Sequence, residues 1–156
     1  MAKENRDGIK IIAKNRRAYF DYAIDTKFEA GIVLLGSEVK SIRAGHISIG
    51  DAFAKFSPGN EPELFLLNAH IAEYPWANIN NHDPLRPRKL LLHKRELAKL
   101  SQKLDRQGLT VIALSVYFKQ GKIKVELGLG RGKKLYDKRE TLKEKSSQRD
   151  LQRGEV

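Results

Sequence analysis

The chain has 156 residues, of which 40% are hydrophobic, enough for one folded domain with an appendage. Its 30 Lys and Arg residues outnumber 19 Asp and Glu residues, giving a formal net charge of +11. Such an excess attracts polyanions, although a merely soluble basic protein can share it. The lack of cysteine excludes disulfides, thiol catalysis and cysteine-ligated metal sites. Because no secretory signal is visible and no run approaches the roughly 18 apolar residues of a membrane span, we expect a cytoplasmic protein without membrane contact.

The first third of the chain is predicted to form two strands. Residues 1–8 are polar and are expected to be a flexible N-terminus. Apolar residues within 9–12 predict a short first strand, and a basic hinge at 14–17 follows it. Residues 18–35 are rich in aromatic and β-branched side chains at period two, which predicts one long, half-buried strand. Its alternating residues are Tyr22, Ile24, Thr26 and Phe28.

The next segment is predicted to contain a short helix and two strands. Ser37 is expected to cap a helix that runs through Arg43 and ends at Gly45. Strands are predicted at 52–56 and 63–74, on either side of a Ser-Pro-Gly-Asn turn.

The following segment contains a loop, a helix and two strands. Residues 75–88 contain three prolines and no periodicity, so they are predicted to form a loop. Residues 93–107 are predicted to form a helix that ends before Gly108, with an apolar stripe on one side. Strands are predicted at 109–118 and 123–129. The helical stripe consists of Leu97, Leu100 and Leu104.

About six strands and two helices in mixed order predict a mainly β protein with short helices, of the α+β class. An OB-like closed antiparallel β-barrel over residues 9–132 is the favoured architecture. Residues 133–156 differ in composition, with eight Lys or Arg, five acids and only five apolar or aromatic residues. This basic tail is expected to be disordered in isolation and to become ordered on a polyanionic surface.

Three sequence features could indicate catalysis or metal binding, and each has a simpler explanation. The glycine-rich segment 128–134 lacks the glycine spacing and the Ser or Thr of a phosphate-binding loop. Ser37 and Lys40 match a Ser-x-x-Lys pair, but the companion motifs of that catalytic class are missing. The histidines at 46, 70, 82 and 93 lack metal-ligand spacing. We therefore expect a protein that is not an enzyme and needs no cofactor or metal.

Two basic clusters remain as candidate RNA-binding surfaces. Cations can contact phosphates while aromatic rings stack on unpaired bases, although the rings can equally belong to the core. The second cluster is expected to line one edge of the barrel, and burial of residues 90–92 is favoured over contact with RNA. The first cluster contains Lys14, Arg16 and Arg17 beside Tyr19, Phe20 and Tyr22. The second contains Arg86, Arg88, Lys89, Lys94 and Arg95.

Four motifs in a fixed order carry a family resemblance. They are Phe-Glu-Ala-Gly at 28–31, Glu-Val-Lys-Ser-Ile-Arg-Ala-Gly at 38–45, Asp-Pro-Leu-Arg-Pro-Arg-Lys-Leu-Leu-Leu at 83–92, and Gly-Lys-Lys at 132–134 followed by Asp-Lys-Arg at 137–139. In this order the chain resembles the SmpB family of SsrA-binding proteins. The resemblance spans roughly residues 9 to 145.

The resemblance implies an OB-type barrel that binds the tRNA-like end of transfer-messenger RNA. It also implies that the protein accompanies this RNA, with elongation factor Tu bound through the RNA, into the vacant A site of stalled ribosomes. The tail would then contact the small subunit and its ribosomal RNA and fold into a helix in the messenger channel. The outcome would be trans-translation, in which the stalled peptide is tagged and the ribosome is released. The protein itself is expected to be a monomer.

The resemblance also assigns two sets of residues. The set expected to bind transfer-messenger RNA is Lys14, Asn15, Arg16, Glu29, Leu91 and Lys124. The set expected to contact the ribosome near the decoding centre is Gly132, Lys133, Lys134, Tyr136, Asp137, Lys138 and Arg139. A carboxylate such as Glu29 cannot favour phosphate, so it should accept a hydrogen bond from a base or take part in an ion pair.

Two other classes of protein stay open at this point. A basic OB-fold ribosomal or ribosome-assembly protein would have the same barrel and tail. An RNA-modifying enzyme with an OB appendage is a third alternative, which the missing catalytic residues disfavour.

Overall fold

The computed structural model describes residues 8–77, 79, 81–133 and 139. The strands are β1 (Ile9–Lys14), β2 (Tyr22–Ile32), β3 (Ile47–Ser48), β4 (Phe53–Phe56), β5 (Leu64–Leu67), β6 (His70–Ile71), β7 (Arg88–Leu91), β8 (Thr110–Lys119) and β9 (Lys122–Gly132). The helices are α1 (Ala18–Asp21), α2 (Gly36–Arg43) and α3 (Lys94–Gln107). The prediction of a mainly β protein with short helices is confirmed. None of the helices in these described residues is long and apolar enough to cross a membrane.

Strand β8 organises the main sheet, whose order is β1-β8-β4-β5-β7-β2-β9. All its pairings are antiparallel, and β9 also pairs with β8, so the series of paired strands returns to β8. Strand β4 pairs with the beginning of β8, and β1 pairs with its end. Two short strands therefore pair with the same edge of one long strand. The short strands β3 and β6 form a separate two-stranded sheet.

Three strands of the main sheet contain register irregularities. The register shifts between Ile24 and Thr26 in β2, and between Ala113 and Ser115 in β8. A third shift lies between Ile11 and Ala13 in β1. An extra residue of this kind bends a strand and increases its twist, which allows a sheet to curl around a core.

The main core joins the strands to α2 and α3. Ile42 of α2 and Leu100 of α3 are completely buried among leucines and valines of the sheet. Each such side chain contributes about 1.5–3 kcal/mol when it is fully removed from water. The sheet residues of this core include Leu64, Leu66, Leu90, Val111, Val125, Leu127 and Leu129. A smaller cluster formed by Ala18, Ile112 and Leu114 lies under α1.

Several predicted element boundaries were wrong, including the end of the strand at 18–35, since β2 ends at Ile32. The predicted strand at 18–35 begins with helix α1, in which Phe20 and Asp21 donate backbone hydrogen bonds to Arg17, and β2 starts only afterwards. Burial of Ala18 against β8 explains why this turn stays helical despite its aromatic residues. The predicted strand at 63–74 divides into β5 and β6 because Asn68 adopts a left-handed conformation with φ of 59°. The predicted loop at 75–88 ends one residue early, since Arg88 begins β7.

The start of α2 also differs from the prediction, whereas both predicted helix ends are confirmed. Ser37 is not the cap. Instead, Glu38 Oε1 accepts a hydrogen bond of 2.8 Å from the Leu35 N–H, and Ser37 Oγ contacts His82 Nδ1 at 2.8 Å. Helix α2 ends before Gly45, whose φ is +82°, and α3 ends before Gly108, whose φ is +59°. Both glycines occupy the left-handed region that other residues adopt at a cost.

A buried charge cluster connects α2 to β7. Glu38 and Arg88 are both completely buried, and Arg88 Nε donates to Glu38 Oε2 at 2.5 Å. Arg86 Nη2 donates to Glu38 Oε1, also at 2.5 Å. Arg88 Nη1 additionally donates to the carbonyl of Ala69 at 2.7 Å. Burial raises the pKa of Glu38, but the hydrogen bonds from Arg86, the Leu35 N–H and Arg88 outweigh it and hold the pKa below its ordinary value.

We predict that Glu38→Gln lowers the free energy of unfolding by about 3–5 kcal/mol, because it leaves a buried guanidinium without its counter-charge. Urea unfolding measures this change. The matched control is Glu63→Gln, which removes the carboxylate from the exposed pair with Lys89 and should cost at most about 1 kcal/mol. Equal losses in the two variants would contradict a dominant role for the buried cluster.

Candidate nucleic-acid interface

Strand register brings three of the residues predicted to bind RNA into one depression. Gly31 of β2 lies opposite Leu91 of β7 on one side and opposite Lys124 of β9 on the other. Glu29 is two residues before Gly31, so its side chain is on the same face. Together with His93 and Glu96, these residues line a depression of about 500 Å³. Glu29, Leu91 and Lys124, which are far apart in sequence, are therefore neighbours.

Gly31 lies between Leu91 and Lys124 in this depression. A Cβ atom at this position would lie 3.4 Å from Leu91 Cβ and 3.8 Å from Lys124 Nζ. Leu91 is 50% exposed, whereas Leu90 is only 2% exposed, as alternation along a strand requires. The favoured burial of all three leucines at 90–92 was therefore wrong for Leu91. Its exposed side chain supplies an apolar surface beside a cation.

Glu29 is held as an ionised carboxylate. The Tyr117 hydroxyl donates to Glu29 Oε2 at 2.5 Å, and Lys119 Nζ lies 3.2 Å from the same oxygen. The hydrogen bond from Tyr117 is the main reason that the pKa of Glu29 is lowered. The nearby charges of Lys119 and Lys124 add to it, against the opposing effect of burial. Burial and the hydrogen bond to Glu29 in turn raise the pKa of Tyr117. Glu29 thus forms an ion pair and can still accept hydrogen bonds at its half-exposed oxygens.

The other predicted RNA-binding residues line a separate groove of about 1,080 Å³ along β1 and the turn that follows it. Lys14 and Arg16 are exposed, whereas Asn15 is 6% exposed. Asn15 Nδ2 donates to the Ala113 carbonyl at 3.1 Å, while its buried Oδ1 has no hydrogen-bond partner among the described residues. Asn15 therefore anchors the basic turn to β8, and its two neighbours project from that anchor.

The aromatic residues after this turn have different environments. Tyr19 is 45% exposed, and the Lys27 ammonium lies 5.3 Å from its ring centre. Tyr22 is half-buried against the small cluster under α1. One ring thus packs against the core and another lies at the surface, which combines the two alternatives for this cluster.

Arg43 is a surface cation for which the sequence predicted no binding role. It lies at the last turn of α2 and lines the groove beside Lys14 and Arg16. It also lines a second depression, of about 410 Å³, together with Lys122 and Lys124. Arg43 therefore connects the two sets of predicted RNA-binding residues. Only its exposed place at a helix end could have indicated this.

The second basic cluster does not form a continuous surface. Arg88 is completely buried with Glu38, so its predicted place on an exposed edge was wrong. Arg86 is bound to the same carboxylate, and Lys89 pairs with Glu63 at 3.1 Å. Lys94 and Arg95 are exposed. A buried guanidinium must be neutralised, so its charge is not available to an external phosphate.

Only part of the predicted ribosome-contacting set lies within the described residues. Gly132 is paired with Tyr22 at the end of β9, and the Lys133 N–H donates to the Asp21 carbonyl at 2.8 Å. Arg139 is exposed. The remaining members, Lys134, Tyr136, Asp137 and Lys138, lie outside the described residues. The tail therefore starts next to α1.

These features are typical of a nucleic-acid-binding domain. The domain is mainly antiparallel β, and its surface combines exposed cations with apolar depressions. A family model described as "SmpB protein" matches residues 12–155. The chain belongs to the SmpB family.

Similar proteins agree with this assignment. The chain is 51% identical over 147 residues to the SsrA-binding protein of Syntrophotalea carbinolica, covering 94% of this chain and 96% of that one. It is 55% identical over 152 residues to the SsrA-binding protein of Parvibaculum lavamentivorans, covering 97% and 91%. A chain of the solved structure "tmRNA-SmpB: a journey to the center of the bacterial ribosome" is 48% identical, with a TM-score of 0.65 and coverage of 83% and 93%.

We predict that Tyr117→Phe raises the pKa of Glu29 toward its ordinary value, because it removes the hydrogen bond that contributes most to lowering it. Carboxyl NMR titration measures the change. A lowered folded-state pKa stabilises the fold above the unfolded-state pKa, and this stabilisation is lost as the pH falls through the folded-state pKa. The variant should therefore lose less stability than the parent on acidification.

The control for this titration is Tyr74→Phe, since Tyr74 stacks with Lys40 and has no contact with Glu29 among the described interactions. An unchanged pKa of Glu29 in Tyr117→Phe would show that the hydroxyl does not hold the carboxylate.

Proposed function

We propose that this protein is an SsrA-binding protein, which binds the tRNA-like domain of transfer-messenger RNA and delivers it to the A site of stalled ribosomes for trans-translation. The observation that carries the proposal is that the groove of Lys14 and Arg16 and the depression of Lys122 and Lys124 share Arg43, in a chain of the SmpB family. The names of the similar proteins and of the solved structure support the same partner RNA and the ribosome.

The chemistry of the surface supports RNA as the ligand. Lys14, Arg16 and Lys124 carry positive charge on side chains that can approach phosphates. Leu91 offers an apolar surface to a base or sugar. Glu29 repels phosphate, so it should accept from a base amino group or a ribose hydroxyl. This single carboxylate among the cations would then fix the orientation of the bound RNA, because it accepts hydrogen bonds and can face only donor groups. Asn15 contributes by fixing the position of its basic neighbours.

The architecture and the tail have separate roles in this proposal. The ring of paired strands over residues 9–132 is taken to be an OB-like closed barrel, which stands in for the missing anticodon arm of the RNA. Residues 133–156 form a tail that becomes helical on the small subunit and its ribosomal RNA. Elongation factor Tu joins the delivery complex through the RNA. The protein acts as a monomer in the cytoplasm, where ribosomes work.

Binding, not bond-making, is the proposed activity. The described residues contain no group of three or more His, Cys, Asp or Glu side chains that could hold a metal ion. The charged side chains with shifted pKa values, such as Glu38 and Glu29, are engaged with arginine, tyrosine or lysine partners. RNA recovered with the protein from cells provides the direct test. One dominant small stable RNA is expected. If ribosomal RNA dominates instead, and the protein is found on all ribosomes, the alternative of a structural ribosomal protein is favoured.

We predict that Lys124→Ala weakens binding of the transfer-messenger RNA and flattens the dependence of log affinity on log salt by roughly one unit. Affinity measured at several salt concentrations tests this. The matched control is Lys55→Ala, which removes an exposed cation on β4 that lines none of these depressions. An unchanged slope in Lys124→Ala would mean that Lys124 contacts no phosphate.

We predict that truncation after Gly132 leaves transfer-messenger RNA binding within a few-fold of the full chain and abolishes peptide tagging. The reason is that the groove of Lys14 and the two depressions beside Gly31 are lined only by residues between 10 and 124. RNA affinity and tagging on stalled ribosomes are measured in parallel. A loss of RNA affinity as large as that of a variant lacking Lys14, Arg16 and Lys124 would contradict the separate roles of barrel and tail.

A further inference from the structure

The depression that Arg43 shares with Lys122 and Lys124 combines two kinds of surface. Its wall and floor include the half-buried side chains of Ile32, Leu34, Val39, Phe118 and Ile123. Its volume of about 410 Å³ is within the range of roughly 300–1,000 Å³ that is usual for small-molecule sites. The pairing of Phe118 with Ile123 at the end of the β8–β9 hairpin forms one side, and α2 forms the opposite side.

The charges around this depression have one sign. Arg43, Lys122 and Lys124 are its charged lining residues, and no Asp or Glu lines it. Within the part of the chain that the structure describes, no ion pair joins any of these three cations to a carboxylate. The neighbouring depression on the other side of Gly31 and Leu91 differs, since it contains Glu29 and Glu96.

The ligand must therefore present an apolar face and a negative charge close together. The groove with Lys14 and Arg16 continues from the same Arg43 side chain, which indicates a polyanion that extends beyond the depression. An unpaired nucleotide has both properties, because its base has a flat face that stacks on Phe118 and aliphatic carbons while its phosphates meet the cations.

Resting on the proposed function, we propose that this depression is a base-binding pocket, which takes one unpaired nucleotide of the bound RNA. The base lies against Phe118, Ile123 and Val39, and its flanking phosphates contact Arg43 and Lys122. Gly31 and Leu91 separate this pocket from the Glu29 depression. The RNA chain would thus follow the surface from the Lys14 groove past Arg43 to Lys124.

A pair of matched substitutions tests the proposal. Val39→Phe fills the pocket from α2 and keeps all three cations, whereas Val33→Phe makes the same change at an exposed position outside it. Stacking of one base contributes about 1–3 kcal/mol. The affinity for the tRNA-like domain should therefore fall about ten-fold in Val39→Phe and stay within two-fold in Val33→Phe. Equal affinities of the two variants would overturn the pocket.

A second measurement uses the unmodified full chain, so it does not depend on folding of a variant. Adenosine 5′-monophosphate should shift the methyl NMR signals of Leu34, Val39 and Ile123, while ribose 5-phosphate, which lacks a base, should leave them unchanged. Equal shifts from the two compounds, or none from either, would contradict base binding.

These results separate the two proposals. If the parent binds the tRNA-like domain tightly and both valine variants bind equally, the base pocket fails and the proposed function stands. If the parent does not bind this RNA, the proposed function fails whatever the mononucleotide does.

Discussion

The buried contact of Glu38 with Arg86 and Arg88 is the interaction on which the geometry of the candidate interface depends. Arg88 begins β7, and its guanidinium also binds the carbonyls of Ala69 and Pro84, so one side chain fixes β7 relative to two loops. Glu38 belongs to α2 and also accepts the Leu35 N–H that begins this helix. Removing these charges from water is costly, and only their close mutual contact offsets that cost. The arrangement therefore tolerates few alternative positions for α2 and β7.

The position of β7 determines the geometry of the candidate interface. Leu91 faces Gly31 only because β7 pairs with β2 in this register, and Lys124 faces the same glycine from β9. The position of α2 places Val39 and Arg43 beside the same residues. A one-residue slip of β7 would turn Leu91 inward and Leu90 outward, since side chains alternate along a strand. Packing of buried charge thus positions surface groups that have no contact with it.

Periodic segments were predictable from the sequence, and contacts between distant segments were not. The alternation of Tyr22 to Phe28 predicted most of β2, and the stripe around Leu100 predicted α3 together with its end at Gly108. Burial of Arg88 could not be predicted, because its partner Glu38 is 50 positions away and arginine is usually exposed. The same holds for Arg43, whose place beside Lys14 and Lys124 depends on the proximity of α2 to β1 and β9. For Glu29, the resemblance indicated the residue, but the Tyr117 hydroxyl that holds it is 88 positions away.

The segment 83–92 shows that a residue of a family motif need not contact the ligand. Arg88 and Leu90 of this motif are buried, and Arg86 is bound to Glu38, so these positions are required by the fold. Of the three consecutive leucines at 90–92, Leu91 is the exposed one, and it lines both depressions beside Gly31. Substitutions at the buried positions would weaken RNA binding by displacing β7, with no contact to RNA involved. Loss of binding therefore identifies a contact residue only where the free energy of unfolding is unchanged, a condition that Leu91 and Lys124 can satisfy and Arg88 cannot.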